Sequence, residues 1–227
     1  TALLEAAKCG IQVDHSSGAM ELLTKLTEDY KAEDSPDVHA RAYILTGNLH
    51  AQNGNFHQAL KAFQKAESVT EQTRLKFTAT ARMADMRYSL GTGGLPPDKS
   101  RAMLQEAVET YKTIINAEDS PADILDNAKY RLGKCYQKLD KTDLAIEKYL
   151  DVFYQYKLDL MQKNNIRDWY YFARSGYDAA ELLLLQDNRE QAVRIYDRLA
   201  ESGIPTSNNA AENARQIRRK MKSESRE

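Results

Sequence analysis

The feature that most constrains this chain is a spacing of twelve residues between two small side chains, which occurs four times. A glycine or alanine is followed twelve positions later by an alanine in the pairs Ala7 and Ala19, Gly47 and Ala59, Gly133 and Ala145, and Ala180 and Ala192. In every copy a large apolar side chain follows the second alanine by four positions, namely Leu23, Phe63, Tyr149 and Tyr196. Residues four apart share a face of a helix, and antiparallel helices cross closely where small side chains face each other. The spacing therefore predicts antiparallel helix pairs that cross at the small residues.

A fifth copy is interrupted by an insertion. Its second helix carries Ala107 and Tyr111, whereas its first helix, around Ala84, is displaced by the sequence GTGGLPPD at Gly91–Asp98. We expect that Gly- and Pro-rich segment to be a flexible connection. Together the five copies predict an all-α fold without strands. The expected helix pairs lie near 1–12 and 18–32, 37–53 and 56–72, 74–90 and 99–117, 122–139 and 142–162, and 166–187 and 189–202, followed by a final helix over 207–222.

The second copy resembles the tetratricopeptide repeat. Its small and aromatic residues stand at offsets 0, 7, 12, 16 and 19, namely Gly47, Gly54, Ala59, Phe63 and Ala66. The resemblance implies an α-α superhelix, or solenoid, of about five such pairs in a single domain over 1–227. Successive second-helix alanines are 40, 48, 38 and 47 residues apart, at Ala19, Ala59, Ala107, Ala145 and Ala192. These gaps exceed the period of about 34 residues that is usual in the family, so we expect extended helices.

The two ends of the chain differ. The final helix carries one apolar stripe on an otherwise polar surface, as a capping helix requires; the stripe is Ala210, Ala214, Ile217 and Met221. The first copy begins at once with Leu3 and Leu4. We therefore expect further repeats upstream of Thr1 in a longer protein.

The charge balance and the placement of reactive side chains disfavour several function classes. With 32 basic and 33 acidic residues the formal net charge is −1, which gives no overall field that would attract nucleic acid. His50 and His57 lack the spacing of helical metal ligands, and Cys9 and Cys135 are far apart, so no metal or other cofactor is expected. No nucleophile turn or isolated carboxylate pair indicates an enzyme. The alternatives left open are a nucleic-acid-binding helical repeat module, through the basic tail at Arg215–Arg226, and, less strongly, a helical enzyme.

Proteins of the tetratricopeptide repeat family bind peptides or partner proteins along the concave surface formed by the first helix of each pair. The resemblance therefore implies a non-catalytic scaffold or adaptor. The side chains expected on that surface are Arg41, Asn48, Gln52, Arg82, Tyr130, Arg131, Lys134, Lys138, Arg174 and Tyr177. We expect Lys134 and Lys138 to be exposed and to attract an acidic ligand, whereas Asp178 and Glu181 make the C-terminal end negative. Tyr130 and Tyr177 are expected to be the apolar anchors.

Two further patterns bear on the binding surface. The family's clamp for a C-terminal carboxylate is not matched, because Asn48 fits it but Ile44 and Arg82 replace the expected lysine and asparagine. Chaperone-tail binding is therefore not inferred. The run Trp169–Phe172 consists of four aromatic residues, whose rings point in directions about 100° apart on a helix and cannot share one buried face. This run, with Trp169, is the alternative binding patch.

The sequence leaves the compartment open. The run DWYYFARSGYDAAELLLL is similar to bacterial repeat proteins, many of them exported, which favours a role in cell-envelope assembly. The bacterial periplasm and the cytoplasm both remain possible locations. No apolar run approaches the roughly 20 residues of a membrane span. Neither the identity of the partner nor the oligomeric state follows from the sequence.

Overall fold

The computed structural model describes residues 2–161 and 169–224, which form eleven α-helices, a short 3-10 turn at Ala32–Asp34 and no β-strand. The prediction of an all-α fold of helix pairs with a final helix is confirmed. Residue 1, residues 162–168 and the end of the predicted basic tail at 225–227 lie outside the described residues. The helices are α1 (Ala2–Gln12), α2 (Ser16–Asp29), α3 (Pro36–Gln52), α4 (Phe56–Val69), α5 (Thr73–Thr92), α6 (Pro97–Asn116), α7 (Ala122–Lys138), α8 (Thr142–Met161), α9 (Trp169–Leu185), α10 (Arg189–Glu201) and α11 (Ser207–Glu224).

The chain divides into two compact units, residues 1–128 and 129–227. In the first unit α1 packs on α2, α3 on α4 and α5 on α6, and α3 also touches α5. In the second unit α8 packs on α9, α9 on α10 and α10 on α11. The single domain over 1–227 stays a prediction, and each unit is described by itself.

The repeated glycines allow two helices of a pair to approach, but they face an aromatic ring rather than an alanine. A Cβ added to Gly47 in α3 would lie 2.5 Å from Cε1 of Phe63 in α4, and one added to Gly133 in α7 would lie 2.4 Å from Cε1 of Tyr149 in α8. Both rings are fully buried. At these two positions the aromatic ring four places after the alanine, and not the alanine itself, lies nearest to the glycine.

The turns inside the pairs repeat one backbone conformation. The residue seven positions after the first small residue of a copy has a positive φ in four pairs: 58° at Asp14, 74° at Gly54, 59° at Asp140 and 59° at Asp187. Glycine adopts this left-handed conformation without strain, and aspartate tolerates it better than most residues do. The offset of seven in the sequence thus marks the sharp reversal between the two helices of a pair.

The third pair departs from this frame because its first helix is longer. Helix α5 continues to Thr92, and the positive φ of 89° falls at Gly94, ten residues after Ala84. Gly91 is buried in the helix, where an added Cβ would lie 2.8 Å from Cγ of Leu104. The expected flexible connection over Gly91–Asp98 is therefore wrong at both ends, since only residues 93–96 link α5 to α6.

None of the helices within residues 2–161 and 169–224 has an apolar stretch long enough to cross a bilayer.

Candidate protein-binding surface on α7 and α9

The first helices of the fourth and fifth pairs, α7 and α9, bring most of the predicted site residues of the second unit together. Lys134 Nζ on α7 lies 2.8 Å from Asp178 Oδ2 on α9. One turn away, Arg174 Nε donates a hydrogen bond to the hydroxyl oxygen of Tyr130 at 3.3 Å. We call this surface the α7–α9 face, defined by Tyr130, Lys134, Lys138, Tyr170, Tyr171, Arg174, Tyr177 and Asp178.

Tyr130 is the floor of this face and not an exposed anchor. Its side chain is only 4% exposed, because its ring lies 5.7 Å from that of Tyr149 and 5.9 Å from that of Tyr171. Burial raises the pKa of Tyr130 to about 12, against the hydrogen bond from Arg174, which lowers it. The expected anchor Tyr130 is therefore not accessible at this surface, since neighbouring rings already cover it.

Lys134 is half-buried and already has a partner. Its ammonium lies 5.6 Å from the ring centre of Tyr130 and 5.7 Å from that of Tyr149, in addition to its contact with Asp178. The expectation that Lys134 is exposed is wrong, and so is the expected contrast of charge at this point, because the lysine and the aspartate neutralise each other. Lys138 is exposed and forms no ion pair within the described part of the chain.

The accessible part of the α7–α9 face includes Tyr170 and Arg174 in addition to Lys138. Tyr170 is 45% exposed and precedes the exposed Arg174 by four residues, so both lie on one side of α9. The hydrogen bond with Tyr130 raises the pKa of Arg174. Tyr177 is half-buried and donates its hydroxyl to the carbonyl oxygen of Thr206 at 2.9 Å. This face combines exposed aromatic area with a fixed positive charge.

The four consecutive aromatics are divided between surface and core. Trp169 is 38% exposed, one residue away from the exposed Tyr170. Phe172, by contrast, is 4% exposed and stacks on Phe153 at 4.8 Å and on Tyr156 at 4.4 Å. Trp169 thus belongs to a side of α9 next to the α7–α9 face rather than to it.

The predicted site residues of the first unit are more scattered. Arg41 and Gln52 are exposed and Asn48 is half-buried, all on one side of α3. Arg82 on α5 lies 3.3 Å from Asp85, whose other carboxylate oxygen accepts from the buried Tyr111 hydroxyl at 2.6 Å. Arg82 therefore already has an acidic partner, Asp85, on its own helix.

The two remaining predicted features are Arg131 and the basic residues near the C-terminus. Arg131 on α7 is half-buried. In the basic helix α11, Arg218 pairs with Asp197 and Arg215 lies 3.8 Å from Glu212, so acidic residues offset part of its charge.

Sequence reasoning missed three members of the α7–α9 face, namely Tyr170, Tyr171 and Asp178. The charge pattern of the sequence predicts a separate negative end that includes Asp178, yet Asp178 lies opposite Lys134, because the position after Gly133 in one pair meets the position two before Ala180 in the next. The sequence analysis includes Tyr170 and Tyr171 only as part of the aromatic run Trp169–Phe172. The positions of Lys134 and Asp178 relative to Gly133 and Ala180 could have indicated that these two residues meet. No feature of the neighbouring sequence indicates which side of α9 carries Tyr171.

Comparisons with known proteins agree with the fold of helix pairs. Models of the tetratricopeptide repeat match residues 40–73 and 127–157. A thermophilic TPR protein of Thermus thermophilus is similar in structure, with a TM-score of 0.59 and 12% identity over 95% of this chain and 97% of that one. The crystal structure of MamA has a TM-score of 0.52 and 16% identity over 92% of this chain and 94% of that one. A search of curated protein sequences gave no match.

Both family matches fall on helix pairs described above. The first covers α3 and α4 with the Gly47–Phe63 contact, and the second covers most of α7 and α8 with the Gly133–Tyr149 contact. Proteins of this kind generally act as non-catalytic scaffolds for other proteins. Two segments of the chain thus match models of the tetratricopeptide repeat, and the chain shares its fold with tetratricopeptide repeat proteins.

Proposed function

We propose that this chain is a non-catalytic scaffold that binds a peptide segment of a partner protein on the α7–α9 face. The observation that carries the proposal is the side-by-side exposure of Tyr170 and Arg174 above a packed layer of rings. Tyrosine and arginine are the side chains that most often dominate binding energy at protein interfaces. The fold of the chain supports the same class of function.

The packing under Tyr170 supports tight recognition. Its ring lies 5.3 Å from that of Tyr171, which in turn contacts Tyr130. A side chain held by its neighbours loses little conformational freedom when a ligand binds. The contact area that Tyr170 offers is therefore largely preorganised.

The charges of the face favour an acidic peptide. Asp178 is neutralised by Lys134 at 2.8 Å, whereas Arg174 and Lys138 remain exposed and positive. A guanidinium can grip a carboxylate through two parallel hydrogen bonds. We expect an Asp or Glu of the ligand at Arg174 and an apolar ligand side chain against Tyr170.

A peptide-display selection tests the proposal without knowledge of the natural partner. Random peptides are selected on the wild-type chain, and their affinities are measured for Tyr170→Ala/Arg174→Ala and for the matched control Tyr30→Ala/Arg194→Ala. Tyr30 and Arg194 are exposed and lie far from α7 and the start of α9 in sequence. We expect selected peptides to be acidic and to bind the first variant at least about tenfold more weakly, with no change for the control. Equal affinity of the peptides for both variants would show that they bind elsewhere than on the α7–α9 face.

Two further experiments test the other functions that the sequence left open. A labelled single-stranded oligonucleotide that binds more tightly than the selected peptides, and loses affinity when Arg219 and Lys222 of α11 are changed to Gln, would favour the nucleic-acid alternative. The cell-envelope role proposed from the C-terminal run requires an exported protein. Fractionation of the source cells, with detection of the chain in the cytoplasm alone, would contradict it.

A further inference from the structure

A pocket of about 280 Å³ opens between α2, α3 and α4 of the first unit, away from the residues discussed so far. Its wall on α3 consists of Tyr43, Thr46 and His50, which follow one another at helical spacing. Lys61 and Lys65 of α4 and Glu28 of α2 also line the pocket. The pocket therefore gathers polar side chains from three helices into one concave site.

The polar groups on the α3 wall of this pocket are available to a ligand. Tyr43, Thr46 and His50 are half-buried, yet their side chains make no hydrogen bond within the described residues. Elsewhere in the first unit, the half-buried Thr80 donates to Glu67 at 2.8 Å and the buried Thr70 donates to Asp37 at 2.5 Å. Since polar groups removed from bulk water are normally hydrogen-bonded, the wall on α3 is suited to hold a polar ligand.

The charge of the pocket points to an anion. Lys61 and Lys65 are four residues apart on α4 and form no ion pair in the part of the chain that the structure describes. Lys65 Nζ lies 5.5 Å from the centre of the Tyr43 ring, which places this cation against the wall on α3. Glu28 is the one acidic residue of the lining, so the two lysines leave a net positive charge when His50 is neutral.

We propose that this pocket binds an oxyanion, either a phosphate or the carboxylate of a small ligand. The two ammonium groups supply the charge, while the Tyr43 and Thr46 hydroxyls and a His50 ring N–H supply directed donors to its oxygens. A volume of about 280 Å³ is slightly below the range of drug-sized ligand pockets, which run from roughly 300 to 1,000 Å³. The pocket therefore suits a small ligand and not a dinucleotide cofactor.

Of the four histidines of the chain, only His50 lines the pocket. Its ring signals therefore report on binding there, and the other three histidines serve as controls. The ring ¹H–¹⁵N signals of the full chain are followed during titration with inorganic phosphate, and separately with acetate, at constant pH and constant ionic strength. We expect a saturable shift of the His50 ring signal and no saturable shift at His15, His39 or His57. Saturation with phosphate identifies a phosphate site, and saturation with acetate alone identifies a carboxylate site.

Variants decide whether the two lysines hold the anion. Lys61→Gln/Lys65→Gln should raise the dissociation constant at least about tenfold. The control Lys99→Gln/Lys141→Gln, which removes two exposed lysines outside the pocket, should leave it unchanged. Both variants should unfold as the wild type does, because all four lysines are exposed. The proposal is overturned if neither anion gives saturation beyond that of sodium chloride, or if the Lys61/Lys65 variant binds as tightly as the control.

Discussion

The contact between Gly47 and Phe63 leads to a prediction that can be worked out in numbers. In Gly47→Ala the new Cβ would lie 2.5 Å from Phe63 Cε1 and 2.7 Å from Cζ, and the ring has no exposed area into which to move. Overpacking of this kind costs about 1–3 kcal/mol. Replacing a helical glycine by alanine returns up to about 1 kcal/mol through helix propensity. The single variant should therefore be destabilised by roughly 0–2 kcal/mol.

The decisive quantity is the coupling between the two residues. In a Phe63→Leu background the clash is relieved, so Gly47→Ala should be neutral or stabilising by up to about 1 kcal/mol. A double-mutant cycle should then give a coupling energy of about 1–3 kcal/mol. Gly10→Ala is the matched control, because its Cβ would meet Ala19 at an ordinary 3.4 Å and the change should stabilise α1.

Urea unfolding followed by circular dichroism gives the free energies, and hydrogen exchange of α3 and α4 shows that the effect is local. The exchange measurement is needed because the chain has two compact units, for which a single two-state transition cannot be assumed. Additivity of the two changes within about 0.5 kcal/mol would refute the reasoning. It would mean that the helices of the second pair do not approach as closely as the structure shows.

Three further predictions follow from the same structure. Gly54→Ala should destabilise the chain by about 1–2 kcal/mol in urea unfolding, since its φ of 74° is unfavourable for alanine although the space around its Cβ is open; a change as small as that of an exposed helical substitution would contradict this. Asp178→Asn should cost about 1–3 kcal/mol by leaving the half-buried Lys134 without its charged partner, and the exchanged pair Lys134→Asp/Asp178→Lys should recover part of the loss in thermal melts. Because burial raises the pKa of Tyr130 to about 12, above the ordinary value of about 10, the folded state holds this proton more tightly than the unfolded state. Its contribution to stability should be complete below about pH 10 and be lost as the pH rises through 12, and Tyr130→Phe should flatten the dependence of urea midpoints on pH in this window.

The sequence by itself determined the helix pairs and the sharp turns within them. The offset of twelve between small residues, with an aromatic or leucine four places later, depends on the period of a single helix and is readable along the chain. The offset of seven marks Asp14, Gly54, Asp140 and Asp187, where the backbone reverses. These features are local, so their physical cause lies within a few turns of chain.

Only the tertiary structure decided which of the predicted binding residues reach solvent. Tyr130 is covered by rings from positions 149 and 171, and Lys134 is neutralised by Asp178, 44 positions further on. The pocket between α2, α3 and α4 likewise joins Glu28 to Lys65 across three helices. Helical periodicity assigns a side chain to a face of its own helix, but burial and pairing depend on what a distant helix places against that face, because packing is a property of two surfaces and not of one.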